Sequence, residues 1–209
     1  NGKTTITYLL EALLRRAGFS AGVIGTINYR YPGKAIPALN TTPGPLELQP
    51  LMAAMLKKGV KYLAMEVSSH ALDQERVAGV NFHSAIFTNL AQDHLDYHRS
   101  KERYFKAKAK LFQGLNHNAF AVINRDDAYG RKLLSLTKAK KITYGLTARA
   151  DVYARRIKFT AARSSFELVS PQGKIELSSN LIGYHNILNL LAACAWGLTE
   201  GLSLKNLYR

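Results

Sequence analysis

The first five residues, Asn1-Gly2-Lys3-Thr4-Thr5, bring together the groups that phosphate recognition needs. A glycine lets backbone N–H groups approach phosphate oxygens with no Cβ in the way. A lysine supplies a point charge for terminal phosphates, and the Thr4 hydroxyl can ligate Mg²⁺ at a helix N-terminus. This is the second half of a phosphate loop. Its opening glycine and the strand that feeds it are expected upstream, so the 209 residues read as a piece of a longer protein. A glycine turn capped by threonine is the plainer reading of the same residues.

Carboxylates and imidazoles form the next layer. Glu66 closes an apolar run and opens Glu66-Val67-Ser68-Ser69-His70-Ala71-Leu72, and a second apolar run leads into a segment with Asp93, His94, Asp96 and His98. Open parallel sheets bind ligands at the C-terminal ends of their strands, where a carboxylate and an imidazole can hold Mg²⁺ between phosphates. Glu66 and His94 are therefore metal-site candidates, whereas His70 and His98 read as surface or hydrogen-bonded polar residues. Lys106, Lys108 and Lys110 follow at intervals of two, about 200° around a helix, so neighbours face different sides. Lys108 has Tyr104, Phe105, Leu111 and Phe112 at helical spacing, which puts it on the apolar face; Lys106 has Glu102, Arg103, Ala109 and Lys110. Burial disfavours an ammonium, and a neutral amine can add carbon dioxide to become a carbamate, a carboxylate-like Mg²⁺ ligand. The alternative is a snorkelling lysine that keeps its charge in water.

The elements that position these residues alternate along the chain. Ile6, Leu9, Leu10 and Leu13 recur at helical spacing, with Gly18 as a left-handed stop. Residues 21–27 predict a strand, 28–45 a Gly- and Pro-rich loop, and the stretch to about Lys58 a helix whose start Pro50 obscures. Further strands are predicted at 62–67, 84–88, 120–123 and 142–144, with helices at 101–112, 131–136 and 185–198. That order predicts an α/β fold, a mostly parallel sheet flanked by helices. Alternating apolar residues over 152–178 add a small antiparallel side sheet or hairpin.

Composition sets the outer limits. With 47% apolar residues the chain has ample core, and no apolar run reaches the roughly 18 residues of a membrane span. The single cysteine, Cys194, excludes a disulfide framework and a thiolate metal site, and a reducing, cytoplasmic location is expected. Lys and Arg number 29 against 14 Asp and Glu, a net charge of +15, which invites a nucleic-acid reading. The basic residues are dispersed beside helical patterns as on a solvated face, and no zinc-finger or basic-zipper pattern accompanies them. An anionic, nucleotide-carrying small substrate would use the same potential.

The motifs NGKTT, NTTPGPLEL, EVSSHALDQERV, TNLAQDHLDYH, YFKAKAKLF, VINRDDAYG and GYHNILNLLAA, in this order, resemble the Mur ligases of peptidoglycan synthesis, and among them the type that adds the third amino acid. The resemblance covers nearly the whole chain, thinning between Thr137 and Asn180. It implies a P-loop NTPase-like central ATP-binding domain over 1–209, with a uridine-binding domain before it and an amino-acid-binding domain, with its arginine motif, after it. Such a piece is not expected to ligate alone. The resemblance implies that Asn1, Gly2, Lys3, Thr4 and Thr5 bind ATP phosphates, that Asn186 and Asn189 reach the adenine, and that Lys3, His94 and Lys108 are catalytic. Thr4, Glu66, His94 and carbamylated Lys108 would serve Mg²⁺. Thr41, Thr42, Ser68, Gln74 and Arg76 would contact the UDP-N-acetylmuramoyl dipeptide, which an incoming amino acid then extends. The full-length enzyme would be a monomer with no nucleic-acid or membrane partner. A spacing of three puts Asn186 and Asn189 on one helix face, although helix capping would also explain Asn186. A cyanophycin or folylpolyglutamate synthetase and a basic nucleic-acid-binding module are the other readings. NTTP and EVSSHALDQER separate the first of these from the muramoyl ligase, and no motif identifies the amino acid added.

Overall fold

The computed structural model describes residues 1–90 and 95–207. The chain forms two compact units, one from Lys3–Asn81 and a segment ending at Leu111, the other from Asn1–Gly2, a segment starting at Phe82, and Phe112 onward.

The first unit begins with α1 (Lys3–Arg16), which buries Ile6, Thr7, Leu10 and Leu14 on one stripe. Gly18 ends it at φ 82°, and paired bonds from Phe19 N–H to Leu14 O and from Gly18 N–H to Arg15 O satisfy the last carbonyls. The chain continues through β1 (Ala21–Ile24), β2 (Asn28–Tyr31), β3 (Lys34–Pro37), α2 (Pro45–Lys57), β4 (Tyr62–Met65), α3 (Ser69–Asp73), α4 (Leu95–His98) and α5 (Lys101–Gln113). The sheet order is β3-β2-β1-β4. β1 and β4 are parallel, Ala21 opposite Tyr62 and Ile24 opposite Met65, and Glu66 N–H extends the ladder to Ile24 O at 2.8 Å.

Here the structure departs from the pattern in two places. The strand predicted over 21–27 stops at Ile24, because Gly25 and Thr26 turn to meet Glu66, and Ile27 is exposed. The loop predicted over 28–45 contains the antiparallel hairpin β2–β3, closed by Pro32-Gly33 with Gly33 at φ 78°. Pro followed by a left-handed Gly is the signature of a tight turn, but strands of four residues leave little alternation to read; only Tyr29 and Tyr31 of β2 are buried. α2 starts with Pro45 at its first position and runs through Pro50. The residue whose carbonyl lacks a partner there, Leu46, is exposed to water.

The second unit contains β5 (Ser84–Phe87), β6 (Phe120–Asn124), α6 (Ala128–Leu136), β7 (Lys140–Gly145), β8 (Val152–Phe159), β9 (Ser164–Ser170), β10 (Gly173–Ser179), α7 (Tyr184–Thr199) and α8 (Leu204–Leu207). The six strands are ordered β10-β9-β8-β7-β6-β5. β5 to β8 pair in parallel, and β8, β9 and β10 pair antiparallel. The antiparallel strands thus fall in the segment expected to alternate, and they join the parallel ones through β8. The α/β architecture with a mostly parallel sheet agrees with the sequence. α7 lies against β6, β7 and β8 and buries Ile187, Leu191 and Trp196. Cys194 is on this buried face, where loss of solvation pushes its thiol up to about 12.

A polar knot fixes the strand ends of this unit. Asp127 caps α6, accepting from the N–H groups of Tyr129 at 2.8 Å and Gly130 at 3.1 Å, and its second oxygen accepts from Leu90 N–H at 3.1 Å. Asn124 donates to Thr88 O at 2.7 Å, and Asp126 accepts from Leu146 N–H at 2.6 Å. Residues 124–127 thereby tie the ends of β5, β6 and β7. Asp127→Ala is expected to cost about 1–3 kcal/mol, since it removes a cap and a half-buried acceptor together. Asp127→Asn, which keeps an acceptor, should lose less. Denaturant midpoints of the two variants against the parent test this.

Candidate active site

Glu66 follows β4 directly and is only 3% exposed. Its Oε1 accepts from Thr26 N–H at 3.0 Å, and its Oε2 accepts from the hydroxyls of Thr4 at 3.0 Å and Thr26 at 3.2 Å. Gly25 makes room for it: a Cβ there would sit 2.3 Å from Oε1. The head of α1, the end of β1 and the end of β4 therefore meet at one carboxylate. Lys3, half-buried at the head of the same helix, has no carboxylate partner among the described residues.

The segment 40–43 is strapped to this centre. Thr42 is fully buried, donates its hydroxyl to Glu66 O at 2.8 Å and accepts from Ser68 N–H at 3.1 Å. The Thr41 hydroxyl is 3.1 Å from that of Thr26. Tyr29, buried on β2, donates its hydroxyl to Asn40 O at 2.6 Å. Burial, the largest effect on that hydroxyl, raises its pKa and keeps it a donor. Ser68 caps α3 through Ala71 N–H at 3.1 Å. Beyond α3, Glu75 adopts φ 54°, and the turn sets Arg76 against Gln74: Nε and Nη2 donate to Gln74 Oε1 at 2.9 and 2.7 Å, and Nη1 donates to Thr42 O at 3.0 Å. Thr41, Thr42, Ser68, Gln74 and Arg76, singled out from separate motifs, thus belong to one connected network.

On α5, Lys106 is exposed and Lys108 half-buried, the order expected from their flanking residues. The Lys108 ammonium lies 5.0 Å from the centre of the Tyr104 ring. His98 is a buried polar residue, 2.9 Å from Ser69 Oγ through Nε2 and stacked on Tyr104. His94 and Asp93 lie outside the described residues.

In the second unit, Gly2 has φ 89°, and a Cβ on it would come within 2.3 Å of Asn189 Oδ1. Asn189 is buried on α7 and donates to Asn186 Oδ1 at 3.3 Å, while Asn186 donates to Ile182 O at 2.9 Å. The N-cap of α7 is Gly183, with no side-chain cap, so capping does not account for Asn186. Asn1 O accepts from Asn89 Nδ2 at 3.2 Å, and Thr5 lies in the first turn of α1.

Sequence reasoning missed Gly25, Thr26 and Tyr29. Gly-Thr directly after an apolar strand was the available signal for the first two, and nothing local marks Tyr29. A buried carboxylate met by threonine hydroxyls, with no cation paired to it among the described residues, is a set of hard oxygens that suits Mg²⁺. No three His, Cys, Asp or Glu side chains cluster among the described residues. Mg²⁺ there would complete its shell with ligand phosphate oxygens and water, as it commonly does.

A helix headed by a phosphate-loop-like sequence, with a strand-end carboxylate beside it in an α/β frame, is an arrangement suited to nucleotide phosphates. Residues 1–197 match the Mur ligase middle domain, and the chain belongs to that family. It is 48% identical over 210 residues to UDP-N-acetylmuramoyl-L-alanyl-D-glutamate–2,6-diaminopimelate ligase of Geobacter sulfurreducens, covering 98% of this chain and 41% of that protein. The ligase of the same name from Geobacillus thermodenitrificans is 43% identical, covering 98% of this chain and 43% of that protein. A solved structure of such a ligase superposes with a TM-score of 0.91 at 35% identity, over 99% of this chain and 43% of that one. The chain spans about two fifths of the length of the curated relatives it matches.

Gly25→Ala is expected to displace the Glu66 carboxylate and lower the denaturation midpoint by the equivalent of about 1–3 kcal/mol, the usual cost of overpacking. Gly44→Ala, where a Cβ meets open space, should stay within about 0.5 kcal/mol. Equal midpoints for the two would remove Gly25 from the cradle.

Proposed function

We propose that the chain is the central, ATP-binding domain of a cytoplasmic, monomeric ligase of peptidoglycan synthesis that joins an amino acid to UDP-N-acetylmuramoyl-L-alanyl-D-glutamate. The observation that carries the reading is the buried Glu66 carboxylate, bonded to Thr4 of the phosphate loop in a chain of the Mur ligase middle-domain family. The names of relatives at 41–48% identity support 2,6-diaminopimelate as the amino acid, and no residue of this chain is assigned to it. Those relatives also favour this reading over a cyanophycin or folylpolyglutamate synthetase. No helix among the described residues is long and apolar enough to cross a membrane. A uridine-binding and an amino-acid-binding domain belong to other parts of the full-length enzyme.

The γ-phosphoryl group of ATP passes to an oxygen of the D-glutamyl carboxylate, giving an acyl phosphate and ADP. The incoming amine then forms the C–N bond as the C–O bond to phosphate breaks, inorganic phosphate leaves and the amine gives up a proton. Such chemistry asks the protein for positioning and charge neutralisation rather than for a nucleophile. Asn1, Gly2, Lys3, Thr4 and Thr5 take the ATP phosphates, with Lys3 supplying the positive charge. Asn186 and Asn189 receive the adenine. Thr41, Ser68, Gln74 and Arg76 present the muramoyl dipeptide, and Thr42, whose hydroxyl is committed inside the fold, holds their loop. Glu66, Thr4, His94 and a carbamate on Lys108 hold Mg²⁺, which when bound offsets the negative charge of the phosphates.

Lys108→Ala in the full-length enzyme is expected to lower kcat about 10²–10³-fold, the scale on which one electrostatic element of an active site counts, with partial recovery in acetate. Lys106→Ala should be nearly silent. A fully active Lys108→Ala enzyme overturns that metal site. Arg76→Ala should weaken binding of the muramoyl dipeptide about tenfold or more and leave ATP binding within about twofold, because the fork it removes braces the substrate loop. Calorimetric titration of both ligands decides, and equal losses reject the assignment.

A further inference from the structure

His98 is absent from the roles above, yet it stands where the β4–α3 turn meets the neighbourhood of Lys108. It sits at the end of α4, only 5% exposed, and its Nε2 is 2.9 Å from the Oγ of Ser69, itself 3% exposed. Ser69 is the first residue of α3, directly after Ser68, whose N–H reaches Thr42 Oγ1, which in turn donates to Glu66 O. On its other side His98 stacks on Tyr104, the rings 5.1 Å apart and within 21° of parallel. The Lys108 ammonium lies 5.0 Å from the centre of that same tyrosine ring, one helical turn further along α5. An unbroken series of contacts therefore leads from the backbone of Glu66 through Thr42, Ser68, Ser69, His98 and Tyr104 to Lys108. His70 and Tyr97 pack against His98 at 5.5 and 4.8 Å between ring centres and hem the imidazole in further.

A lysine amine on four rotatable bonds is a poor metal-site element unless something limits where its end can go. An aromatic wall does so, and the wall is only as fixed as whatever holds its own ring. We propose that His98 is a positioning residue: clamped to Ser69 and stacked on Tyr104, it sets where the end of Lys108 lies relative to the Glu66 strand end. This rests on the reading of Lys108 as a carbamate. In that step the neutral Lys108 nitrogen forms a bond to the carbon of dissolved carbon dioxide as one C=O π bond opens onto its oxygen, and the N–H proton passes to water. A carbamate held off its metal-binding position loses the stabilisation of the bound cation and reverts more readily. Misplacing Lys108 therefore raises the carbon dioxide concentration the enzyme requires, as well as slowing it. Residues that orient metal ligands in this way cost about 10–100-fold when removed.

The test uses the full-length ligase in degassed buffer with bicarbonate added back. His98→Phe keeps a ring that can stack but loses the bond to Ser69; Ser69→Ala removes the same bond from the other side and serves if the first variant does not fold. Both are expected to lower kcat by about tenfold or more, leave the KM for ATP within about twofold, and raise the bicarbonate concentration for half-maximal activity at least about threefold. His98→Gln, which can still bond Ser69 but cannot stack as a ring, should share the shift. A drop in activity with an unchanged bicarbonate requirement means a purely structural histidine and overturns the proposal, as does an unimpaired pair of variants. Activity of Lys108→Ala equal to the parent instead overturns the carbamate reading itself, so the two failures are told apart.

Discussion

One buried carboxylate constrains much of the first unit. Taking an ionised side chain out of water costs several kcal/mol unless donors or a cation replace the lost hydration. For Glu66 the replacements are hydroxyls and a backbone N–H, drawn from the head of α1 and the turn after β1. Each donor fixes the segment that supplies it. Gly25 has to lack a side chain because the carboxylate fills that space, and Thr42 has to be buried because it bridges the Glu66 carbonyl to the start of α3. The donor set leaves a formal negative charge without a paired cation among the described residues, which is the property a Mg²⁺–nucleotide site exploits.

The second unit solves a different problem with similar means. Its parallel strands end in a knot of Asn124, Asp126 and Asp127 that satisfies backbone groups at the ends of β5, β6 and β7. Gly130 brings α6 so close that a Cβ would lie 2.0 Å from Asn124 O. These carboxylates are spent on the fold, in contrast to Glu66. The basic charge is carried at the surface: every Lys and Arg from Arg131 to Arg163 is exposed. In water, like charges on such a face repel weakly and are screened by salt, so a net charge of +15 does not conflict with a stable core.

The two halves of the proposed chemistry differ in how firmly they are held. The proposed phosphate end draws on backbone and short side chains, Thr4 and Thr26 of the first unit, which lose little entropy when ordered. The proposed lysine end is a long, flexible side chain, and the Lys108 ammonium lies beside the Tyr104 ring on which His98 stacks.

Residue type and spacing made the α/β class and the order of the long elements legible and nominated the groups of the proposed site. Periodicity in α1, α5 and α7 comes from burial of one stripe, and residue type limits what NGKTT or Glu66 can do chemically. The sequence also told Lys108 from Lys106, because helical geometry turns spacing directly into a face. The hairpin β2–β3 was illegible, since four-residue strands and a Pro-Gly turn look the same as a loop until partners are present. Asn186 was ambiguous for a related reason: only the position of Gly183 at the helix start shows that the asparagine is not a cap. Only the packed fold shows which donors meet Glu66, that Tyr29 of β2 braces the bend at Asn40, and that His98 links Ser69 to Tyr104. The hydrogen bonds among these join residues 11 to 62 positions apart. Local propensity carries no information about such pairs; they are set by which strands align and by the need to satisfy each polar group that burial takes out of water.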